Sequence, residues 1–324
     1  MSDEIIDVSV VMLTYFHEKY VAKAIESVLS QKTNYNYEIV IADDCSTDGT
    51  RNILREYEIR YPNIIHVIYN DKNLGITKNK YNACSKCRGR YIADLAGDDY
   101  WIDTHKIDLQ VSFLDEHPQF SAVTTKVEAR IDDDEDAYAT YPNNNLIDKY
   151  ITLNQYLHDV DNVFPTNGIF MRNYYLTETG RKEFEIMTKA SRSIDDSTEC
   201  ILMLLKGPVY ILGQSTSVYR VPRNKTGRKN YNSTGTTMGR VRNKIELYNY
   251  LSEHLIPHLD YYQVYINTLA IGFLECIRNY KALDEYKEVY SLVPMEYRKR
   301  SLRMSIVLKS IKVGTNMLLQ RIKR

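Results

Sequence analysis

Two pairs of adjacent carboxylates, Asp43-Asp44 and Asp98-Asp99, each follow an apolar run and have no lysine or arginine within two residues on either side. Carboxylates gathered in a cleft without a counter-charge are costly unless they share a cation with a further anion, and a phosphate is a common partner of such a cation. These residues therefore suit metal-assisted handling of a phosphate-bearing ligand, with Asp98 as the metal ligand. The plainer alternative is that each pair caps the helix that follows. That role fits Asp48 before Thr50 and Asp103 before Lys106 more naturally.

The elements that must hold these pairs follow from periodicity. Val8 to Leu13 is a continuous apolar run of strand length, suited to a strand buried on both faces. Val21, Ala24, Ile25, Val28 and Leu29 recur at helical spacing. Tyr37 to Ala42 predicts a second strand, Thr50 to Arg60 a helix stopped by Tyr61-Pro62, and Ile64 to Tyr69 a third strand. A helix over 77–88, a strand over Tyr91 to Leu95 and a helix from Lys106 to Glu116 complete the alternation. This order implies right-handed crossovers and a doubly wound, mostly parallel α/β sheet with helices on both faces. Ligands of such sheets sit at the carboxyl ends of the strands, where both aspartate pairs fall.

Later residues alternate less regularly. Phe120 to Val127 and Gly168 to Met171 predict strands, and 195–206 a helix with Ile201, Leu202, Leu204 and Leu205 inward, closed by Gly207-Pro208. The acidic run at 132–136 fits a solvated loop better than a metal site. A polar stretch without period at 225–238 predicts a boundary between a domain of residues 1–230 and a helical C-terminal region, 238–324.

Several function classes are excluded. The turn after the first strand, Thr14-Tyr15-Phe16-His17-Glu18, lacks the glycines of a dinucleotide fingerprint, and the chain has no G-x-x-x-x-G-K-[ST] loop or H-E-x-x-H. Cys84 and Cys87 lack a second pair to complete a zinc site, and five scattered cysteines fit a reducing compartment. The 42 basic and 42 acidic residues cancel, so no overall field favours nucleic acid. Residues 298–324, however, hold nine Lys or Arg and no Asp or Glu. Met304, Leu308, Ile311, Leu318 and Ile322 would share one helical face flanked by those cations, with Ile306 and Val313 interrupting the polar side. Such a helix suits an anionic membrane surface or the face of a neighbouring subunit in a homo-oligomer. The N-terminus has no secretory pattern and no apolar run is long enough to span a bilayer. A cytoplasmic chain, peripheral at the inner face of the cell membrane, is expected.

In order and spacing, VSVVMLTY, AIESVLSQ, YEIVIADDCSTDGT, NLGITKNKYNA and GRYIADLAGDDYW resemble the successive signatures of inverting family 2 glycosyltransferases of the GT-A fold. The resemblance is dense over residues 8 to 117 and thinner over 160–222. It implies a nucleotide-sugar donor, usually a UDP-sugar, a glycan or lipid-linked glycan acceptor, and a Mg²⁺ or Mn²⁺ cofactor. It places Thr14, Tyr15 and Asp44 at the base and ribose, and Lys80 where the family often has an arginine near the diphosphate. Asp98 matches the last carboxylate of the D-x-D metal motif, with Asp99 beside it. Ala96 replaces the first, leaving metal affinity weak without nucleotide. DDSTECILMLLKG followed by PVYILGQSTSVYRVP resembles the segment in which an aspartate opens a helix before a strand ending in Tyr-Arg. Counting back from Gly207 makes Asp196 the catalytic base and Asp195 the fallback, for a base must reach the acceptor hydroxyl opposite the leaving group. The resemblance also brings Asn167 to the acceptor. Arg220 to Arg228 are expected to form a basic flap over the diphosphate, and Trp101 either stacks on a sugar or anchors the next helix.

Overall fold

The computed structural model describes residues 5–132, 134–158, 164–191, 196–221, 236–300, 302–303 and 305–310. They fall into two compact units, divided between 230 and 231.

The first unit is built on a ten-stranded mixed sheet with strands β1 (Val8–Thr14), β2 (Tyr37–Asp43), β3 (Ile65–Tyr69), β4 (Tyr91–Ala96), β5 (Tyr100–Trp101), β6 (Ala122–Ile131), β7 (Ala137–Tyr141), β8 (Lys149–Ile151), β9 (Ile169–Arg172) and β10 (Val209–Val221). Its order is β3-β2-β1-β4-β9-β6-β10-β5, with β7 beside β6 and β8 beside β10. The four strands β3, β2, β1 and β4 are parallel, and β9 runs antiparallel to both β4 and β6. Apolar runs of strand length occupy the centre because both their faces are covered: Val8, Val10, Met12, Ile39 and Ile41 are fully buried.

Helices α1 (Val21–Leu29), α2 (Thr50–Arg60), α3 (Ile76–Cys84) and α4 (Lys106–Glu116) follow the strands, with α5 (Leu153–His158), α6 (Glu178–Phe184), α7 (Ile186–Ala190) and α8 (Asp196–Lys206) in the later part. Helix α1 buries Val21, Ala24, Ile25 and Val28, the stripe its spacing predicts. Trimming a central side chain such as Ile41 to alanine should cost about 2–5 kcal/mol.

Some sequence expectations shift. Helix α3 stops at Cys84 rather than 88, because a turn with Cys87 N–H bonded to the Cys84 carbonyl leads into β4. The described residues of the acidic run lie between β6 and β7, with Asp134, Glu135 and Asp136 exposed. On α8, Leu205 is exposed and Met203 takes the buried position.

The second unit contains α9 (Thr237–His254), α10 (Tyr262–Arg278), α11 (Leu283–Leu292) and α12 (Met295–Arg298). The boundary expected at 225–238 lies mostly outside the described residues. In the basic segment, Leu302 and Ile306 are buried and the Ser310 hydroxyl bonds to the Ala270 carbonyl at 3.3 Å. The packed face is thus the one carrying Ile306, and Leu308 points outward at 61% exposure. Met304 and residues 311–324 of that pattern lie outside the described residues. Among the described residues no helix is long and apolar enough to cross a membrane.

Candidate active site

The carboxyl ends of β2, β1 and β4, three neighbouring parallel strands, bring distant residues to one edge. Thr14 ends β1 in register with Asp43 at the end of β2, and its hydroxyl donates to Asp43 Oδ1 at 3.1 Å. Asp43 is fully buried and its other oxygen accepts from Arg51 Nε at 2.6 Å and from Ser46 N–H at 3.0 Å. Its charge is therefore met from the first turn of α2, eight residues on and beyond the two-residue window in which the sequence shows no cation. Asp44 is also buried and accepts from Leu74 N–H at 2.7 Å, Gly75 N–H at 3.0 Å and Asn70 Nδ2 at 3.2 Å. It thereby fixes the loop between β3 and α3.

The two turns that leave this edge are strained. Phe16, after β1, and Cys45, after β2, have φ of 60° and 65°. For residues with a Cβ such backbone costs about 1–2 kcal/mol and persists only where neighbours hold it. Those neighbours are visible: Phe16 N–H bonds to Ser46 Oγ at 3.0 Å and His17 N–H to Thr50 Oγ1 at 2.9 Å. Tyr15 is half-buried, edge-on to the Phe16 ring.

At the end of β4, Asp98 and Asp99 part company. Asp99 is buried, accepting from Arg220 N–H at 2.8 Å and Asn167 Nδ2 at 3.3 Å, so it holds β10 against the turn. Asp98 keeps part of its side chain in solvent and lies 3.9 Å from His17 Nε2. The backbone of Gly97 passes so near β1 that a Cβ there would meet Thr14 Cγ2 at 2.7 Å. Arg220 is buried over the rings of Tyr20 and Tyr100 and donates to the Asp98 carbonyl at 3.0 Å. It is a fixed clamp and not part of a flap; residues 222–228 lie outside the described residues. Asn167, expected at the acceptor, is likewise buried, and Trp101 is buried against Phe170, so it anchors.

Lys80 departs from its expected place beside a diphosphate. Its side chain is 1% exposed, and Nζ bonds to Asp94 Oδ2 at 2.7 Å and Glu199 Oε2 at 2.5 Å. The reason is charge: Asp94 on β4 and Glu199 on α8 are buried carboxylates, and a lysine between them offsets a desolvation cost that neither could bear alone. Burial, then the charge of Asp94, raises the Glu199 pKa well above the ordinary carboxylate range against the pull of Lys80. This cluster joins the strand leading to Asp98 with the helix that Asp196 opens. Asp196 is exposed at the first position of α8, its Oδ1 accepting from Ser197 N–H at 2.6 Å. Asp195 lies outside the described residues. Sequence reading passed over Asp94, Glu199 and Arg51; acidic residues inside an apolar strand and an apolar helix face were the available signal for the first two.

Among the described residues, no three His, Cys, Asp or Glu side chains converge on a point where a metal would sit. The donor set at the edge is Asp98 with His17 beside it, which fits a divalent ion only if most of its ligands are diphosphate oxygens and water, a coordination Mg²⁺ and Mn²⁺ accept.

The sequence profile described as Glycosyl transferase family 2 matches residues 9–177. The putative teichuronic acid biosynthesis glycosyltransferase TuaG of Bacillus subtilis is 39% identical over 107 residues, 33% of this chain and 41% of TuaG. The chain thus spans well under half the length of that relative. Among solved structures, S. aureus TarS 1-349 in complex with UDP-GlcNAc superposes with a TM-score of 0.63 at 14% identity, over 97% of this chain and 92% of that one. The mannosyltransferase PcManGT from Pyrobaculum calidifontis, in complex with GDP-Man and Mn²⁺, gives 0.52 at 16% identity, over 95% and 88%. At these identities the two structures support the GT-A fold.

Proposed function

The chain belongs to glycosyl transferase family 2, and from that premise we propose that it moves a hexosyl or N-acetylhexosaminyl group from a nucleotide sugar, a UDP-sugar, to a hydroxyl of a glycan or lipid-linked glycan with inversion. The observation that carries this reading is the meeting of Thr14, Asp44 and Asp98 on the edge formed by adjacent parallel strands, the ligand-binding edge of such a sheet. Thr14, Tyr15 and Asp44 flank base and ribose. Asp98 would hold Mg²⁺ or Mn²⁺, which when bound would supply charge to stabilise the leaving diphosphate. Asp99, Lys80 and Arg220 act by position, setting where Asp98 and α8 stand.

Asp196 takes the proton of the acceptor hydroxyl while that oxygen attacks the anomeric carbon from the face opposite the diphosphate, so the new bond has inverted configuration. Its exposure at a helix start suits a base that must meet a large acceptor; Asp195 is the alternative. Turnover of a panel of UDP-, GDP- and dTDP-sugars, with the product anomer read by NMR, tests the proposal. Retention of configuration would refute it. The rival is a catalytically silent nucleotide-sugar or glycan-binding scaffold, which Ala96 in place of a carboxylate favours; nucleotide binding without turnover on any donor would decide for it.

The basic segment 298–324 would hold the chain at an anionic surface, each cation contributing about 1 kcal/mol. Because Leu302 and Ile306 are packed inside the second unit, the fitting test removes only 311–324. Undiminished sedimentation with anionic vesicles would count against this role.

A further inference from the structure

We propose that His17 is a second protein ligand of the divalent cation, standing where the missing carboxylate of Ala96 would have served; the inference rests on the donor-site reading above. His17 Nε2 and Asp98 Oδ2 are 3.9 Å apart, and both side chains are 14% exposed. Two donors each about 2.0–2.2 Å from one ion lie roughly 3.0 Å apart in adjacent positions and roughly 4.2 Å apart in opposite ones. The observed 3.9 Å lies between these two spacings, and a closure of about 0.9 Å, one side-chain adjustment, makes the two ligands adjacent.

The backbone supports the placement. The His17 carbonyl accepts from Tyr20 N–H and Val21 N–H at 2.9 Å each, while its own N–H bonds to Thr50. β1 and β4 are neighbours with Leu13 opposite Ala96, so the turns carrying His17 and Asp98 leave the sheet side by side. Gly97 completes the fit: a Cβ at that position would lie 2.9 Å from His17 Nδ1, so only glycine lets the imidazole pack on the turn that carries Asp98.

Among the described residues Lys80 is committed to Asp94 and Glu199 and Arg51 to Asp43, so a cation held between His17 and Asp98 would bring positive charge to the diphosphate. One imidazole, one carboxylate and phosphate oxygens favour Mn²⁺ and later first-row ions over Mg²⁺, which keeps to oxygen ligands.

Pulsed electron paramagnetic resonance of Mn²⁺ bound to the full chain with UDP tests this directly, because a coordinated imidazole imprints ¹⁴N modulation on the echo. The wild-type complex should show it. His17→Gln should abolish it and weaken Mn²⁺ binding roughly tenfold to a hundredfold, with a smaller loss for Mg²⁺. The variant also assigns the signal among the seven histidines. Mn²⁺ held with UDP and released by Asp98→Ala, but without imidazole modulation in the wild type, would overturn the role of His17 alone. So would modulation that survives His17→Gln. No uptake of Mn²⁺ with UDP at all would overturn the donor-site reading along with it.

Discussion

Replacing Lys80 by methionine leaves Asp94 and Glu199 facing each other in a dry setting. The three side chains are nearly inaccessible, and Nζ contacts both carboxylates within 2.7 Å. Removing one partner of a buried pair costs about 3–5 kcal/mol, because the remaining charge stays buried. Glu199 already holds its proton more tightly than usual, so Lys80 offsets mainly one charge and the cost should lie near the lower end, about 3 kcal/mol. Methionine keeps the apolar stem, so little cavity term adds to this. For a unit of this size the melting temperature should fall by about 6–12 °C. The sole tryptophan, Trp101, is buried in the same unit and reports its unfolding by fluorescence in guanidinium chloride. UDP affinity measured without metal on the folded variant should change little. Stability altered by less than about 1 kcal/mol together with a tenfold loss of UDP affinity would refute the reasoning and return Lys80 to the diphosphate.

Asp196→Asn should lower kcat by on the order of 10² to 10⁴ with donor affinity nearly intact, as steady-state kinetics and UDP titration would show; an unchanged kcat removes it as the base. Gly97→Ala forces a methyl group against Thr14 and the His17 ring, so a stability loss of about 1–3 kcal/mol and weaker Mn²⁺-dependent UDP binding are expected, and a silent substitution would contradict the packing. Glu199 binds its proton more tightly folded than unfolded. The stability it contributes is therefore greatest below the unfolded carboxylate pKa and declines as pH rises toward the folded one. Denaturation of Glu199→Gln at a series of pH values should show the variant gaining on the wild type as pH rises; a difference independent of pH would refute the shift.

Much of the scaffold is legible in the chain because its signals are local. The run Val8 to Leu13 and the helix Thr50 to Arg60 announce themselves by length, period and the stop at Tyr61-Pro62, and both appear where expected. The antiparallel insertion of β9 between β4 and β6 was not legible, since strand direction depends on long-range pairing that short apolar runs do not encode. At the site, residue types and edge position are readable but partners are not. Asp43 and Asp99 look like Asp44 and Asp98 in sequence, and only the fold gives Asp43 to Arg51 and Asp99 to the Arg220 backbone. Lys80 misled for the same reason: a cation expected at a phosphate was claimed by Asp94 and by Glu199, 119 positions away.

The most direct test of the donor site is isothermal titration of UDP into the wild type and Asp98→Ala, each with and without Mn²⁺. UDP should bind the wild type far more tightly with Mn²⁺ than without it, and Asp98→Ala should erase that difference. Equal metal-dependent binding by both proteins would contradict the central claim.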